Sequence, residues 1–346
     1  MEGEIALFSD QALANALSPR LMELILLPTE KCNFRCTYCY EDFAIGRMPS
    51  RVITGVKQLI ANRVPSLDHL SISWFGGEPL LAKEVCLDIS SFAKDLCEKN
   101  NVGFVGGFTT NGYLLDIDLF RTLVKQNQTQ YQITLDGDEE WHNKTRIQPN
   151  RKPTFEKIWH NLTSFRDVEE DFSVSMRLHV HAENIESVKR LYQRIKDTLL
   201  TDKRFSVYFH KISNLNPDEQ IKETVLNDKD YADALRHISG DGDMVNGRAK
   251  SEIHLSDYIC YAAKPNSLMV RANGTIGKCT VALNDDRNNL GKILEDGSLE
   301  ISNPKLRQWM LGYRDMSKET LSCPLSTLPH AIKEAAKSDL ALTLVE

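Results

Sequence analysis

The chain has no apolar run long enough to cross a bilayer, and its first residues include Glu2 and Glu4, where a secretory signal needs a basic start followed by an apolar stretch. A membrane span and an export signal are therefore not expected, and the protein is expected in the cytoplasm. Positive charge is not in excess either. The 42 Lys and Arg stand against 48 Asp and Glu, a formal net charge of −6, so neither a nucleic-acid nor a membrane partner is expected. There is no low-complexity tract and no repeat beyond an alternation of strand and helix. What remains is ordinary for a globular protein of 346 residues: 41% hydrophobic and 26% charged residues, enough for one large domain or a large one plus a small one. The eight cysteines, with no export signal, argue for a reducing compartment and metal binding rather than disulfides.

Three of the cysteines stand together. Cys32, Cys36 and Cys39 fall in the run from Pro28 to Tyr40 with the spacing Cys-x3-Cys-x2-Cys. Thiolates this close on one loop can converge on one centre, and soft sulfur selects an iron–sulfur cluster or zinc. Three local ligands leave one position open for something else, unless a remote fourth ligand makes a zinc knuckle. Three buried thiols without metal is the remaining reading.

The surrounding pattern is strand then helix. Residues 1–20 read as a short lead-in, with Leu7, Leu13 and Leu17 on a small helix ending near Pro19. Met22 to Leu27 is an apolar run that delivers the cysteine loop, and Val52, Val56, Leu59, Ile60 and Val64 fall at helical spacing. Leu70 to Phe75 is a second strand, entering Gly76-Gly77-Glu78-Pro79, and Ala82 to Lys99 a helix whose Cys86 and Cys97 read as core. Further strands run from Val102 to Phe108, Tyr131 to Leu135, Ser173 to Val180 and Phe205 to Ile212. Helices are marked by Leu119, Phe120, Leu123 and Val124, and again by Ile185, Val188, Leu191, Tyr192 and Ile195. Polar residues collect where strands finish, as at Asn111 and Asp136, which is the reactive end of a parallel barrel. Arg177 and His179 share a strand face; they either line a cavity or belong to the core. Asn214 to about Gly247 reads as a connector. Cys260 and Cys279 then enclose Ser267 to Lys278, two short strands about an Asn273-Gly274 turn.

On these residues the chain resembles the radical S-adenosylmethionine (SAM) enzymes. The resemblance implies that Cys32, Cys36 and Cys39 hold three irons of a [4Fe–4S] cluster whose fourth iron binds the amino and carboxylate groups of SAM. It further implies that an electron from the cluster cleaves SAM to methionine and a 5′-deoxyadenosyl radical, which takes a hydrogen atom from the substrate. The fold implied is α/β, a partial (β/α)6 TIM-like barrel (21–213) followed, after a helical connector (214–255), by a small hairpin-containing accessory domain (256–346). By the same resemblance Tyr38, Gly76, Gly77, Glu78, Asn111, Thr134, Asp136 and Arg146 face SAM or support its pocket. Glu78 would accept the ammonium protons, and Thr134, in the place of a family serine, would join Arg146 at the carboxylate.

The segment from Leu135 to Arg146 resembles the Ser-Leu-Asp-Gly…His…Arg stretch of peptide- and protein-modifying members. Cys260-x13-Gly274-x4-Cys279 is similar to the start of the accessory domains called SPASM or twitch. Only Cys323 follows, so two complete four-thiolate accessory clusters are impossible. Cys260, Cys279 and Cys323 either hold one second iron–sulfur cluster with an open or non-cysteine fourth ligand or are structural thiols. The implied function is a maturase that installs a side-chain crosslink or related oxidation in a ribosomal peptide or protein, reduced by a donor such as flavodoxin or ferredoxin. In sulfatase-maturing relatives an acidic residue follows the hairpin cysteine as a base. Thr280 stands there, which lowers the formylglycine-forming alternative without excluding it. A non-catalytic iron–sulfur or zinc scaffold is the third reading. No N-terminal domain large enough to capture a leader peptide is expected, so recognition falls to the barrel mouth, the C-terminal region or a separate partner protein.

Overall fold

The computed structural model describes residues 8–213, 215, 224–240 and 257–329. Leu7, most of the expected connector (214, 216–223 and 241–255), residue 256 and the chain from residue 330 onward lie outside the described residues. Six strands lie side by side in chain order, each parallel to the next: β1 (Leu21–Leu26), β2 (His69–Trp74), β3 (Gly103–Thr110), β4 (Gln128–Leu135), β5 (Ser173–Val180) and β6 (Phe205–Lys211). The α/β fold with an incomplete parallel barrel is the one read from the sequence.

Parallel neighbours need crossovers, and helices supply them. A short α1 (Asp10–Leu17) precedes β1, and α2 (Ser50–Arg63), α3 (Lys83–Lys99) and α4 (Ile117–Val124) follow the first three strands in turn. Two helices then lie between β4 and β5, α5 (Glu139–Thr145) and α6 (Phe155–Ser164), before α7 (Ile185–Thr198) and, after β6, α8 (Asp228–Ser239).

Alternation along the strands sorts two faces. Leu24, Leu26, Leu70, Ile72, Trp74, Ile133, Leu135, Met176 and Leu178 are buried against the helices. They meet Val52, Val56, Ile60, Val85, Ile89 and Ala93 in one continuous core. Each such side chain contributes roughly 1.5–3 kcal/mol on burial. The opposite face is polar and partly exposed: Ser71 and Ser73, Gln132, Arg177, Tyr208 and His210. Tyr208 Oη donates to Gln132 Oε1 at 2.6 Å, passing over the intervening β5, so these residues share the inner face.

The expected hairpin is present as β7 (Ser267–Val270) and β8 (Thr275–Gly277), with Gly274 at φ +92° in its turn, followed by β9 (Gly291–Ile293) and β10 (Leu299–Ile301). β7 pairs in parallel with the free edge of β1, so barrel and hairpin form one ten-stranded sheet whose order runs β10-β9-β8-β7-β1-β2-β3-β4-β5-β6. No helix among the described residues is long and apolar enough to cross a membrane.

Candidate active site

The cysteine loop leaves the C-terminal end of β1 and folds back onto two neighbours. The Gly-Gly-Glu turn after β2 lies against its first residues: the Glu78 amide donates to the Lys31 carbonyl at 3.0 Å. A Cβ added at Gly76 would lie 2.3 Å from the Thr29 carbonyl oxygen, and one at Gly77 2.6 Å from that of Lys31. Only glycine lets the two loops approach this closely, and Gly76, at φ +108°, also needs its conformational freedom.

Glu78 is fully buried, and both of its oxygens accept bonds from the chain itself. Oε1 receives the Leu80 amide (3.0 Å) and the Thr110 hydroxyl (2.7 Å), and Oε2 the Asn111 amide (2.8 Å). Burial raises its carboxyl, and the bonds from Asn111, Thr110 and Leu80 oppose that rise. Asn111 Nδ2 donates in turn to Asn33 Oδ1 of the cysteine loop at 2.8 Å. Glu78 thereby ties the end of β3 to the glycine turn, and Asn111 ties it to the cysteines.

On the other side, Arg35 and Cys36 pair antiparallel with Ile147 and Arg146, which follow α5. Tyr38 Oη donates to Asp136 (2.7 Å to Oδ2) and accepts from Arg146 Nη1 at 2.8 Å. Thr145 Oγ1 donates to Asp136 Oδ2 at 2.8 Å, and His179 Nδ1 lies 3.2 Å from Oδ1. Burial alone would raise the Asp136 carboxyl, but His179 and the Arg146 charge overcome it and hold the group well below the usual carboxylate range. Burial pushes His179 down to about 4 despite Asp136, and burial with the nearby Arg146 pushes His142 down to about 3. Both are neutral at physiological pH.

Tyr38, Asp136 and Arg146 are thus in one buried network, and Gly76, Gly77, Glu78 and Asn111 in a second, with the cysteine loop common to both. Thr134 is buried near the end of β4, two residues before Asp136, but takes no part in either network; its register partner is Arg177. Sequence reasoning missed Thr110, Asn33, Thr145 and His142. It left His179 undecided, although the shared face with Arg177 was visible.

Cys32, Cys36 and Cys39 are free, partly buried thiols, and the Phe34 amide donates to Cys32 Sγ at 3.3 Å. Burial raises all three, Cys39 to about 12. Burial disfavours the thiolates here, and a cation bound in place of the protons would favour them. Among the described residues no three His, Cys, Asp or Glu side chains converge as tightly as a single metal ion requires.

In the C-terminal region Cys279 is buried, Cys260 partly so and Cys323 exposed. The Cys260 amide donates to the Leu321 carbonyl at 2.8 Å, which draws the segment before Cys323 toward it. Burial raises the Cys279 thiol, and Cys260 and Cys323 lie near enough to raise it further. This group is linked to the cysteine loop through Thr280, whose carbonyl accepts from Tyr40 Oη (3.2 Å) and whose hydroxyl bonds Tyr261 Oη (2.9 Å). Cys86 and Cys97 are buried in α3, as core residues.

Residues 26–195 match the sequence model of the radical SAM superfamily. The chain is similar to cysteine-type anaerobic sulfatase-maturating enzymes. It is 24% identical to that of Clostridium novyi (strain NT) over 227 residues, 63% of this chain and 58% of that protein. To that of Clostridium perfringens (strain 13 / Type A) it is 23% identical over 231 residues, 64% and 60% of the two. The match thus spans less than two thirds of the length of these relatives. The fold is similar to that of native anSMEcpe with bound AdoMet and Cp18Cys peptide, with a TM-score of 0.64 and 22% identity over 83% of this chain and 80% of that one. It is also similar to Streptococcus suis SuiB bound to precursor peptide SuiA, with a TM-score of 0.58 and 16% identity over 92% and 73%. With a parallel half-barrel, three free thiols on the loop after its first strand and a glycine turn packed on that loop after its second, residues 26–195 form a radical SAM domain, whose family cofactors are a [4Fe–4S] cluster and SAM.

Proposed function

We propose that this chain is a radical SAM maturase that modifies a ribosomal peptide or protein, forming a side-chain crosslink or a related oxidation. The observation that carries the reading is that the cysteine loop is held from both sides by groups suited to position a small cosubstrate. The donor set fits the cofactors: three free thiols on one loop suit a cluster with an open iron, and the buried Arg146 has an unpartnered Nε beside that loop. Cys32, Cys36 and Cys39 would hold the cluster. Arg146 with Thr134 would take the carboxylate of SAM, and Tyr38, Gly76, Gly77, Asn111 and Asp136 would shape its pocket. Glu78, whose two oxygens take three bonds from the chain itself, would act by fixing that wall. When bound, the pair supplies a hydrogen-abstracting radical; the chain's own part is to orient SAM and to keep water away.

The peptide complexes of the similar structures support a peptide substrate. The eight free cysteines favour a reducing, cytoplasmic setting. An electron donor such as flavodoxin or ferredoxin and a separate peptide-recognition protein complete the proposed partners, and Cys260, Cys279 and Cys323 are the proposed ligands of a second cluster. The relatives favour a second reading, oxidation of Cys or Ser to formylglycine. Against it stands Thr280, with its hydroxyl on Tyr261, at the position that should carry a base. Anaerobically reconstituted protein given dithionite and SAM is expected to form 5′-deoxyadenosine, and Cys36→Ala is expected to form none. Absence of the product from wild-type protein of full iron content would leave the scaffold reading.

A further inference from the structure

The inner face of β4–β6 carries a cation with no counter-charge among the described residues. Arg177 stands on β5 between Thr134 of β4 and Tyr208 of β6, its partners in register. Among the described residues it makes no hydrogen bond and no ion pair, and its Nε is buried without a partner. Asp136, the carboxylate among the described residues at the mouth end of this face, is already engaged by Tyr38 and Thr145. The other ionisable groups around it are His179 one step toward the mouth on the same strand, His210 on β6 with its ring 5.7 Å from that of His179, and Tyr231 of α8. Both histidines are neutral: burial, together with Arg177, pushes His210 down to about 3. A guanidinium with an unpaired buried edge costs free energy unless an anion completes it. The rigid fork of donors matches a carboxylate, and Gln132, whose Oε1 takes the Tyr208 hydroxyl, has an amide nitrogen on the same face able to share the contact.

We propose that Arg177 is a specificity residue that receives a carboxylate of the peptide substrate, an Asp or Glu side chain or the C-terminus, on the inner barrel wall. The inference rests on the maturase reading and names the substrate class for it. SAM is the other source of a carboxylate, but Arg146 lies beside the cysteine loop, whereas Arg177 sits in mid-strand, a layer deeper than His179.

The test is selection of a random nine-residue peptide library, with free and with amidated C-termini, on the reconstituted holoenzyme with SAM. Wild type is expected to enrich peptides with an acidic side chain or a free C-terminus at one position. Arg177→Gln should lower that enrichment by about tenfold or more, the scale of a lost charge-assisted bond. Arg177→Glu should shift the preference to Lys or Arg, which loss of folding cannot imitate; should it not fold, Arg177→Gln still decides. SAM affinity is measured alongside by equilibrium dialysis. Enriched peptides without a carboxylate preference would overturn this inference alone. So would a preference unchanged in Arg177→Gln while SAM affinity falls tenfold, since the carboxylate would then be SAM's. No enriched peptide at all would overturn the maturase reading and this inference with it.

Discussion

At the scale of single residues, side chains with similar sequence credentials turn out to do different work. Glu78 reads as a ligand for the SAM ammonium, yet its two oxygens receive Leu80, Thr110 and Asn111. Glu78→Gln puts an amide donor among those three donors. It is expected to lower the stability of the metal-free protein by about 1–3 kcal/mol, measured by urea unfolding, and to weaken SAM binding secondarily. Wild-type stability combined with weakened SAM binding would instead make Glu78 a direct ligand. Legibility at this scale stops at chemistry. A buried acid next to glycines is visible in the chain, and so is its local bond to Leu80, whereas the other two donors, Thr110 and Asn111, come from the end of β3.

Among elements, the join that matters is between the hairpin and the cysteine loop. Arg271, just past β7, gives Nε to Glu30 Oε1 at 3.0 Å and Nη2 to Oε2 at 2.6 Å, and Glu30 is only two residues before Cys32. The pair is almost fully buried, so removing one partner strands a charge and costs about 3–5 kcal/mol. Arg271→Ala is therefore expected to loosen the hairpin from β1. The check is limited proteolysis, with earlier cleavage in 271–290 than in wild type; an unchanged pattern would mean that β7–β1 pairing alone suffices. The six barrel strands were legible within a residue or two, except for the start of β4, three residues earlier than read, because their outer faces are apolar and their ends polar. Helices α5 and α6 were not. α5 is about two turns, seven residues begun by an Asp138 cap, and the stripe Phe155, Ile158, Trp159 and Leu162 is short enough to pass for a loop with scattered apolar residues.

For the whole molecule, two measurements follow. If the C-terminal thiols hold a cluster, reconstituted protein should bind about eight irons, at four per [4Fe–4S] centre, and replacing Cys260, Cys279 and Cys323 by Ala should halve that number. About four irons before and after would leave the hairpin region a peptide-shaping fold. The second measurement is stability against pH. His142, His179 and His210 have folded values of about 3, about 4 and about 3, all below the ordinary value of 6.5. Above pH 6.5 both states are neutral and stability is full. Below it the unfolded chain takes up protons that the folded one refuses, so these groups make stability fall as pH drops from about 6.5 toward 3–4. Thermal unfolding of the metal-free protein should show a steadily falling midpoint over that window, with each His→Phe variant flattening it; a midpoint constant from pH 7 to 5 would contradict their buried, neutral state. The sequence by itself determined the cysteine loop, the order of strands and the hairpin, because spacing and alternation are local properties of a chain. Only the tertiary structure decided that the hairpin extends the barrel sheet, that Tyr38 and Arg146 close on Asp136, and that Arg177 is left without a partner among the described residues. Pairing and burial of charge depend on which distant segments the sheet brings side by side.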